Sequence, residues 1–190
     1  YQADGSAVAL VSNVAVSDVD TANFSGGTLT ATVTAGGHEG DTLTIDESQY
    51  IHVVGNAVQF AADGDGNSAD FVTIGTLSDD INSLSVNLNA NATDAAVAAL
   101  TNAIEFLNTK PDPEAGTRTV TFTLNDGGGT DHGGHDSASF EATVDVQSIA
   151  DDQAPTVAGD MSVVTVADGD KVALTTADLN AIDPDSSPND

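Results

Sequence analysis

Strict alternation of side-chain character constrains the fold of this chain more than any other feature of its sequence. Polar and apolar or small residues alternate at 28–35 (TLTATVTA), 83–88 (SLSVNL), 117–124 (TRTVTFTL) and 140–146 (FEATVDV). Successive side chains of a β-strand point to opposite faces of a sheet, so a period of two predicts strands with one buried face. Clusters of Gly, Asp and Asn separate these segments and predict turns.

One segment departs from this pattern. In 93–107 (TDAAVAALTNAIEFL), Thr93 is a suitable N-cap, and apolar residues recur at helical spacing up to Leu107. The sequence predicts one short α-helix over about 93–107. We therefore expect an all-β fold, an antiparallel Greek-key β-sandwich of cadherin-like or immunoglobulin-like type, with this helix crossing between strands.

The charge of the chain excludes some partners and suggests another. Among 190 residues, 30 are Asp or Glu and only 3 are Lys or Arg, which gives a formal net charge of −27. Such a polyanion does not bind nucleic acid through phosphates, and it is repelled by anionic membranes. No apolar run approaches the roughly 18 residues of a spanning helix, so we expect no membrane insertion.

The type of acid matters as well as the total. The acids are 25 Asp and 5 Glu, and the chain has no Cys, so thiolate metal sites and disulfides are excluded. Short Asp side chains in Gly-rich turns suit oxygen coordination of a hard divalent cation. A solvated acidic surface of a halophilic or marine protein is the open alternative.

An internal repeat predicts the domain organisation. Residues 5–20 (GSAVALVSNVAVSDVD) and 169–185 (GDKVALTTADLNAIDPD) share a Gly, an identical Val-Ala-Leu and an Asp-x-Asp. The sequence predicts a complete module at 1–150, an acidic linker at 151–155, and the opening strands of a following, truncated repeat at 156–190.

Several segments, in this order, resemble a known family. They are VSDVDTANFSGGTLTATVTAG (16–36), LNANATDAAVAALTNAIEFLNT (88–109), AGTRTVTFTLNDGGGT (115–130) and SIADDQAP (148–155). These segments resemble the calcium-binding cadherin-like and immunoglobulin-like repeats of giant bacterial RTX adhesins. The resemblance implies an extracellular β-sandwich on the bacterial surface, exported by type I secretion and rigidified by several Ca²⁺ ions. It also implies neighbouring repeats of the same adhesin as partners.

Candidate calcium ligands follow from spacing and from the resemblance. Alternate residues of an extended segment point the same way, so each Asp-x-Asp pair presents converging carboxylates. The segment DGDGNSAD (63–70) has ligands at positions 1, 3 and 5 of a calcium loop, but it lacks the Gly and Glu of an EF-hand. The linker acids resemble a cadherin linker. The predicted ligands are Asp18, Asp20, Glu39, Asp41, Asp63, Asp65, Asn67, Asp70, Asp126, Asp131, Asp136, Asp151, Asp152, Asp183 and Asp185.

A second enlarged loop, NDGGGTDHGGHDS (125–137), replaces the brief turn of a typical repeat. Its Gly residues would let backbone amides approach a bound group. The predicted ligand-binding residues are Gly128, Gly129, Asp131, His132, His135 and Asp136. A zinc site at the two His residues and an ordinary solvated loop are the alternatives.

No catalytic motif is present, and aromatic residues make up only 4% with no Trp, so we expect no enzyme. Two functions remain open. The first is a calcium-dependent adhesion module, expected to be a monomer, that binds a host or cell-surface peptide or glycan through its enlarged loops. The second is a structural extender repeat, rigidified by calcium, that binds no ligand.

Overall fold

The computed structural model describes Tyr1, residues 6–19, 22–67, 69–129 and 135–148, and the backbone of 156–157 and 181–182. The elements are β1 (Val8–Ala9), β2 (Thr28–Ala35), β3 (Asp41–Ile45), β4 (Ile51–Val54), β5 (Ala57–Phe60), β6 (Val72–Asp80), β7 (Ser83–Leu88), α1 (Asp94–Asn102), β8 (Ile104–Asn108), β9 (Gly116–Asn125), β10 (Ser137–Val146), β11 (Thr156–Val157) and β12 (Ala181–Ile182). The chain divides into two units, Tyr1–Ser148 and Ile149–Asp190. In the second unit, the described backbone is the antiparallel pair of β11 and β12.

Two antiparallel sheets form the first unit. One has seven strands in the order β10-β9-β2-β7-β6-β5-β4, and the other has three in the order β1-β8-β3. The chain passes repeatedly from one sheet to the other, so β2 lies between two strands that are distant from it in sequence. This arrangement confirms the predicted all-β sandwich with a single short helix, within the part of the chain that the structure describes.

The core fills the space between the sheets with the inward half of each alternating strand. Leu29, Val86 and Phe122 are buried from the seven-stranded sheet, and Leu43 and Phe106 are buried from the three-stranded sheet. All five belong to one apolar cluster. The period-two pattern therefore identified the buried face of β2, β7 and β9.

The predicted helix is correct at its start and wrong at its end. The Thr93 hydroxyl accepts a hydrogen bond from the Ala96 N–H and caps a helix that ends at Asn102. Residues 104–108 then form β8, the central strand of the smaller sheet, in which Ile104, Phe106 and Asn108 are buried. The apolar residues of IEFLN satisfy both helical and alternating spacing, and long-range pairing with β3 selects the strand.

Strand register determines which loops are neighbours. β5 ends where β6 begins (Phe60↔Val72), and β9 ends where β10 begins (Asn125↔Ser137). Through β7 and β2, these two junctions fall at the same end of the seven-stranded sheet. We call this the loop end, defined by the junctions β5–β6 and β9–β10.

No helix among the described residues has the length and apolar character needed to cross a membrane.

Candidate metal site

Three predicted ligands converge in the β5–β6 loop at the loop end. One carboxylate oxygen each from Asp63, Asp65 and Asp70 lies within 4.8 Å of the others, and all three residues are exposed. This is the one group of three or more acidic, His or Cys ligands that the described residues bring together. The convergence is the arrangement that the 1, 3, 5 spacing and the closing Asp70 predict.

Asn67 holds two of the three converging acids in place. Its N–H donates to Oδ1 of Asp65 at 2.7 Å, and its Nδ2 donates to Oδ2 of Asp70 at 2.8 Å. The Asp70 N–H donates in turn to the Asn67 carbonyl at 3.0 Å. The Oδ1 of Asn67 accepts the Ala69 N–H at 3.2 Å, which leaves one lone pair for a cation.

Tyr50 supports the loop from below. Gly64 and Gly66 adopt φ of +62° and +74°, a left-handed conformation that tightens the loop and that glycine adopts without steric cost. The Tyr50 ring packs directly against Gly64, so that a Cβ at this position would collide with the ring. No such contact constrains Gly66, where a Cβ would meet open space.

The oxygen ligands of this loop are of the type that a hard cation accepts. The three carboxylates and the Asn67 amide offer oxygen donors without thiolate or imidazole, a set that suits Ca²⁺ or Mg²⁺. Three negative charges lie close together, and the Lys and Arg residues among the described residues, Lys110 and Arg118, bind other acids. These residues could hold one metal ion with coordination positions left open to solvent.

Glu39 and Asp41, predicted as distal-loop ligands, are engaged by protein partners at the other end of the sheet. The exposed Glu39 carboxylate accepts a hydrogen bond from Lys110 Nζ at 2.7 Å. This hydrogen bond, with the Lys110 charge, lowers the pKa of Glu39. The buried Asp41 pairs with Arg118, whose Nε lies 2.9 Å from Asp41 Oδ2. The two acids therefore do not meet in a three-ligand group.

The second predicted loop contributes to a cavity of about 360 Å³ at the loop end. Asp18, Asp126, His135 and Asp136 line it together with apolar side chains. The Gly128 N–H donates to Oδ1 of Asp126 at 2.6 Å. The cavity thus brings together four sequence-predicted residues from two distant segments, although their ligand atoms do not converge as those of the β5–β6 loop do.

Other predicted residues lie outside the described residues. They are Asp20, Asp131, His132, Asp151, Asp152, Asp183 and Asp185. Their calcium or ligand roles remain predictions, and so does the calcium role of the linker. Gly129, at the edge of the described part of its loop, adopts φ of +75°.

Sequence reasoning missed Arg118, the one buried cation among the described residues. The pattern TRTVTFTL could have predicted that Arg118 is buried, because Arg118 falls in phase with Val120 and Phe122, both of which face the core. An Arg at an inward position of a strand needs a buried acid, and Asp41 provides it. Tyr50 was also missed, because its contact with Gly64 joins the residue before β4 to the loop between β5 and β6.

Comparisons of the chain with protein-family models, with curated proteins and with solved structures found no match. The interpretation of this site therefore rests on its own residues: three acids that converge, one Asn that hydrogen bonds to two of them, and one aromatic ring packed against the loop.

Proposed function

We propose that this chain is a calcium-dependent ligand-binding adhesion module of a large secreted bacterial surface protein. The observation that carries the proposal is the convergence of Asp63, Asp65 and Asp70 in one exposed loop. The resemblance of the sequence to repeats of RTX adhesins supplies the setting: an extracellular array in which several calcium ions stabilise the modules.

Calcium fits this loop better than magnesium. Calcium takes six to eight oxygen ligands in flexible geometry, and it accepts a mixture of carboxylates, amide oxygens and water. Magnesium demands a near-ideal octahedron at shorter distances and keeps much of its water. Exposed acids in a Gly-rich loop meet the first requirement more easily than the second.

The position of the loop supports ligand binding. The β5–β6 and β9–β10 junctions both lie at the loop end, and long loops on a rigid sandwich commonly carry binding functions. Because Asp63, Asp65 and Asp70 are exposed, a bound calcium would keep coordination positions open. A carboxylate of a peptide or a hydroxyl of a glycan could take these positions, so a chain at −27 could bind an acidic group through the ion.

A structural extender is the second candidate. The division of the chain after Ser148, next to the acidic linker 151–155, favours it, because an array of such units needs rigid joints more than binding loops. An extender would bind calcium at the linker and would not need the enlarged loops. The two functions differ in whether calcium in the β5–β6 loop changes the binding of a partner.

Thermal unfolding in calcium and in EDTA tests the shared calcium claim. We expect calcium to raise the Tm well above the value in EDTA, because an ion that binds only the native state stabilises it by mass action. Magnesium at equal ionic strength is the control for general screening of a highly charged chain. Equal Tm values in calcium, magnesium and EDTA at moderate salt would contradict the calcium proposal. They would favour the alternative, a solvated acidic surface of a halophilic or marine protein.

Binding to peptide and glycan arrays separates the two candidates. The adhesion module should retain a ligand in calcium and release it in EDTA. The doubly substituted D63N/D65N protein should fail to bind, while D79N/E141Q, which removes the same charge elsewhere on the surface, should bind normally. Absence of any retained ligand on broad arrays, with calcium stabilisation intact, would favour the extender.

A further inference from the structure

The cavity at the loop end combines an apolar wall with acids, and that combination narrows the class of ligand. Phe24, Leu124 and Ala138 supply apolar surface, and Asp18, Asp126 and Asp136 supply carboxylates. Its volume of about 360 Å³ lies within the range of small-molecule and side-chain pockets. A ligand that fills it needs an apolar body and a positive group.

Asp126 is the most buried of the three acids that line the cavity. Only 8% of its surface is exposed, and its Oδ1 accepts the Gly128 N–H. Among the described residues, no group donates a hydrogen bond to its other carboxylate oxygen, and neither Lys110 nor Arg118 pairs with it. Among the described residues, the one buried side-chain polar atom without a partner is Asn82 Oδ1, so this second oxygen of Asp126 is accessible to solvent and can pair with an entering positive group.

The arrangement of the acids argues against a bare metal ion here. A chelated cation needs ligand atoms that converge on one point, as Asp63, Asp65 and Asp70 do. Asp126 and Asp136 line the same cavity but belong to no such group among the described residues. Acids spread around apolar surface match an organic cation, whose charge sits at the end of an alkyl stem.

We propose that this cavity binds the basic side chain, lysine or arginine, of a partner peptide. Phe24 and Leu124 pack against the alkyl stem, and Asp126 pairs with the ammonium or guanidinium group, which completes a buried charge-assisted hydrogen bond. The inference rests on the proposed ligand-binding function and names its peptide chemistry. It requires no calcium in the cavity.

The test uses the full chain with calcium present and two blocked pentapeptides, one with a central lysine and one with norleucine, its uncharged near-isostere. In an amide NMR titration, the lysine peptide should shift the resonances of Phe24, Leu124 and Ala138, and the norleucine peptide should not. D126N should raise the Kd for the lysine peptide by about tenfold or more. Its Asn Oδ1 still accepts the Gly128 N–H, and the exposed D79N is the matched control.

A second variant keeps the test decisive if D126N fails to fold. Ala138→Leu fills the cavity from an exposed position of β10 and should abolish the shifts while the Tm is kept. Equal binding of the lysine and norleucine peptides, equal effects of D126N and D79N, or shifts confined to the β5–β6 loop would each overturn the inference. The calcium melt is a separate experiment, so failure here would leave the metal proposal intact.

Discussion

The buried Asp41 and the exposed acids of the β5–β6 loop differ in the source of the positive charge that compensates them. Asp41 is buried and receives hydrogen bonds from Arg118 Nε, from Asn108 Nδ2 at 2.7 Å and from the His38 N–H at 2.7 Å. Asp63, Asp65 and Asp70 are exposed and converge without a Lys or Arg partner among the described residues.

The difference shows which acids depend on the protein and which depend on the solvent. A buried acid must be neutralised as the chain folds, because burial without a partner costs several kcal/mol. An exposed cluster is tolerated without an ion and gains stability when one binds. Since 3 Lys and Arg cannot balance 30 acids, most compensation must come from cations in solution. The net charge of −27 therefore describes the chain before such ions bind.

Removal of the internal cation should have the largest effect. Arg118→Met leaves the buried Asp41 without its cation and also removes the hydrogen bonds to the Gly116 and Glu114 carbonyls, at 2.9 and 2.6 Å. We expect a loss of about 3–5 kcal/mol in the free energy of unfolding. Because the pair lies away from the loop end, the loss measured by urea denaturation should be the same in calcium and in EDTA.

Arg118→Lys is the control for charge alone. It keeps the positive charge but cannot reproduce the planar fork, so its loss should be smaller than that of Arg118→Met. A calcium-dependent loss for Arg118→Met would contradict the separation between the two groups of acids.

Removal of the proposed metal ligands of the β5–β6 loop should have the second-largest effect on stability. In D63N/D65N we expect the part of the calcium-induced gain that binding at this loop supplies to disappear, which amounts to about 2.7 kcal/mol at a calcium concentration a hundred times the Kd. The Asn side chain at position 65 still accepts the Asn67 N–H, so the loop keeps its turn. In EDTA, the substitution should be neutral or slightly stabilising, because it removes like-charge repulsion.

Comparison with D79N/E141Q, measured by calorimetry in the same buffers, isolates position from total charge. If both double variants lose the calcium response equally, calcium acts by general screening of the surface, and the assignment of the site is wrong.

A glycine pair tests how the loop is held. Gly64→Ala places a Cβ into the Tyr50 ring and forces alanine into positive φ, whereas Gly66→Ala carries only the backbone cost. Gly66→Ala should lose about 1–2 kcal/mol of stability, and Gly64→Ala should lose more because of the added contact with Tyr50. Calcium titration calorimetry should show weaker binding for Gly64→Ala than for Gly66→Ala. Equal calcium affinities would show that Tyr50 does not position the ligands.

The smallest expected effect on stability is at Glu105 on β8, whose charge is compensated neither by a Lys or Arg of the described residues nor by a proposed bound ion. Burial, followed by the nearby Asp46 charge, raises the pKa of Glu105. A carboxyl with a raised folded-state pKa destabilises the fold when ionised, so its cost is present at neutral pH and vanishes as pH falls below the unfolded value of 4.5. Glu105→Gln should therefore raise the Tm slightly at pH 7 and leave it unchanged at pH 4. A Tm gain that persists at pH 4 would assign the effect to packing.

Local sequence patterns predicted most of the fold and part of the candidate site. Alternation identified β2, β7, β9 and β10, and the Asp63–Asp70 spacing predicted a converging loop. Long-range pairing decided the rest. The sequence of IEFLN cannot show that β3 lies beside it, and the spacing around Asp41 cannot show that Arg118 reaches it from a strand 77 residues away.

Terbium luminescence tests the central claim most directly, because Tb³⁺ replaces Ca²⁺ and is excited by a nearby tyrosine. The chain has no Trp and two Tyr, of which Tyr50 packs under the loop and Tyr1 hydrogen bonds to the Asn108 carbonyl, away from the loop. We predict sensitised Tb³⁺ emission that falls when calcium displaces the Tb³⁺ ion. Tyr50→Phe and D63N/D65N should each remove this emission, whereas Tyr1→Phe should keep it. Emission unaffected by Tyr50→Phe or by D63N/D65N would contradict a metal site at Asp63, Asp65 and Asp70.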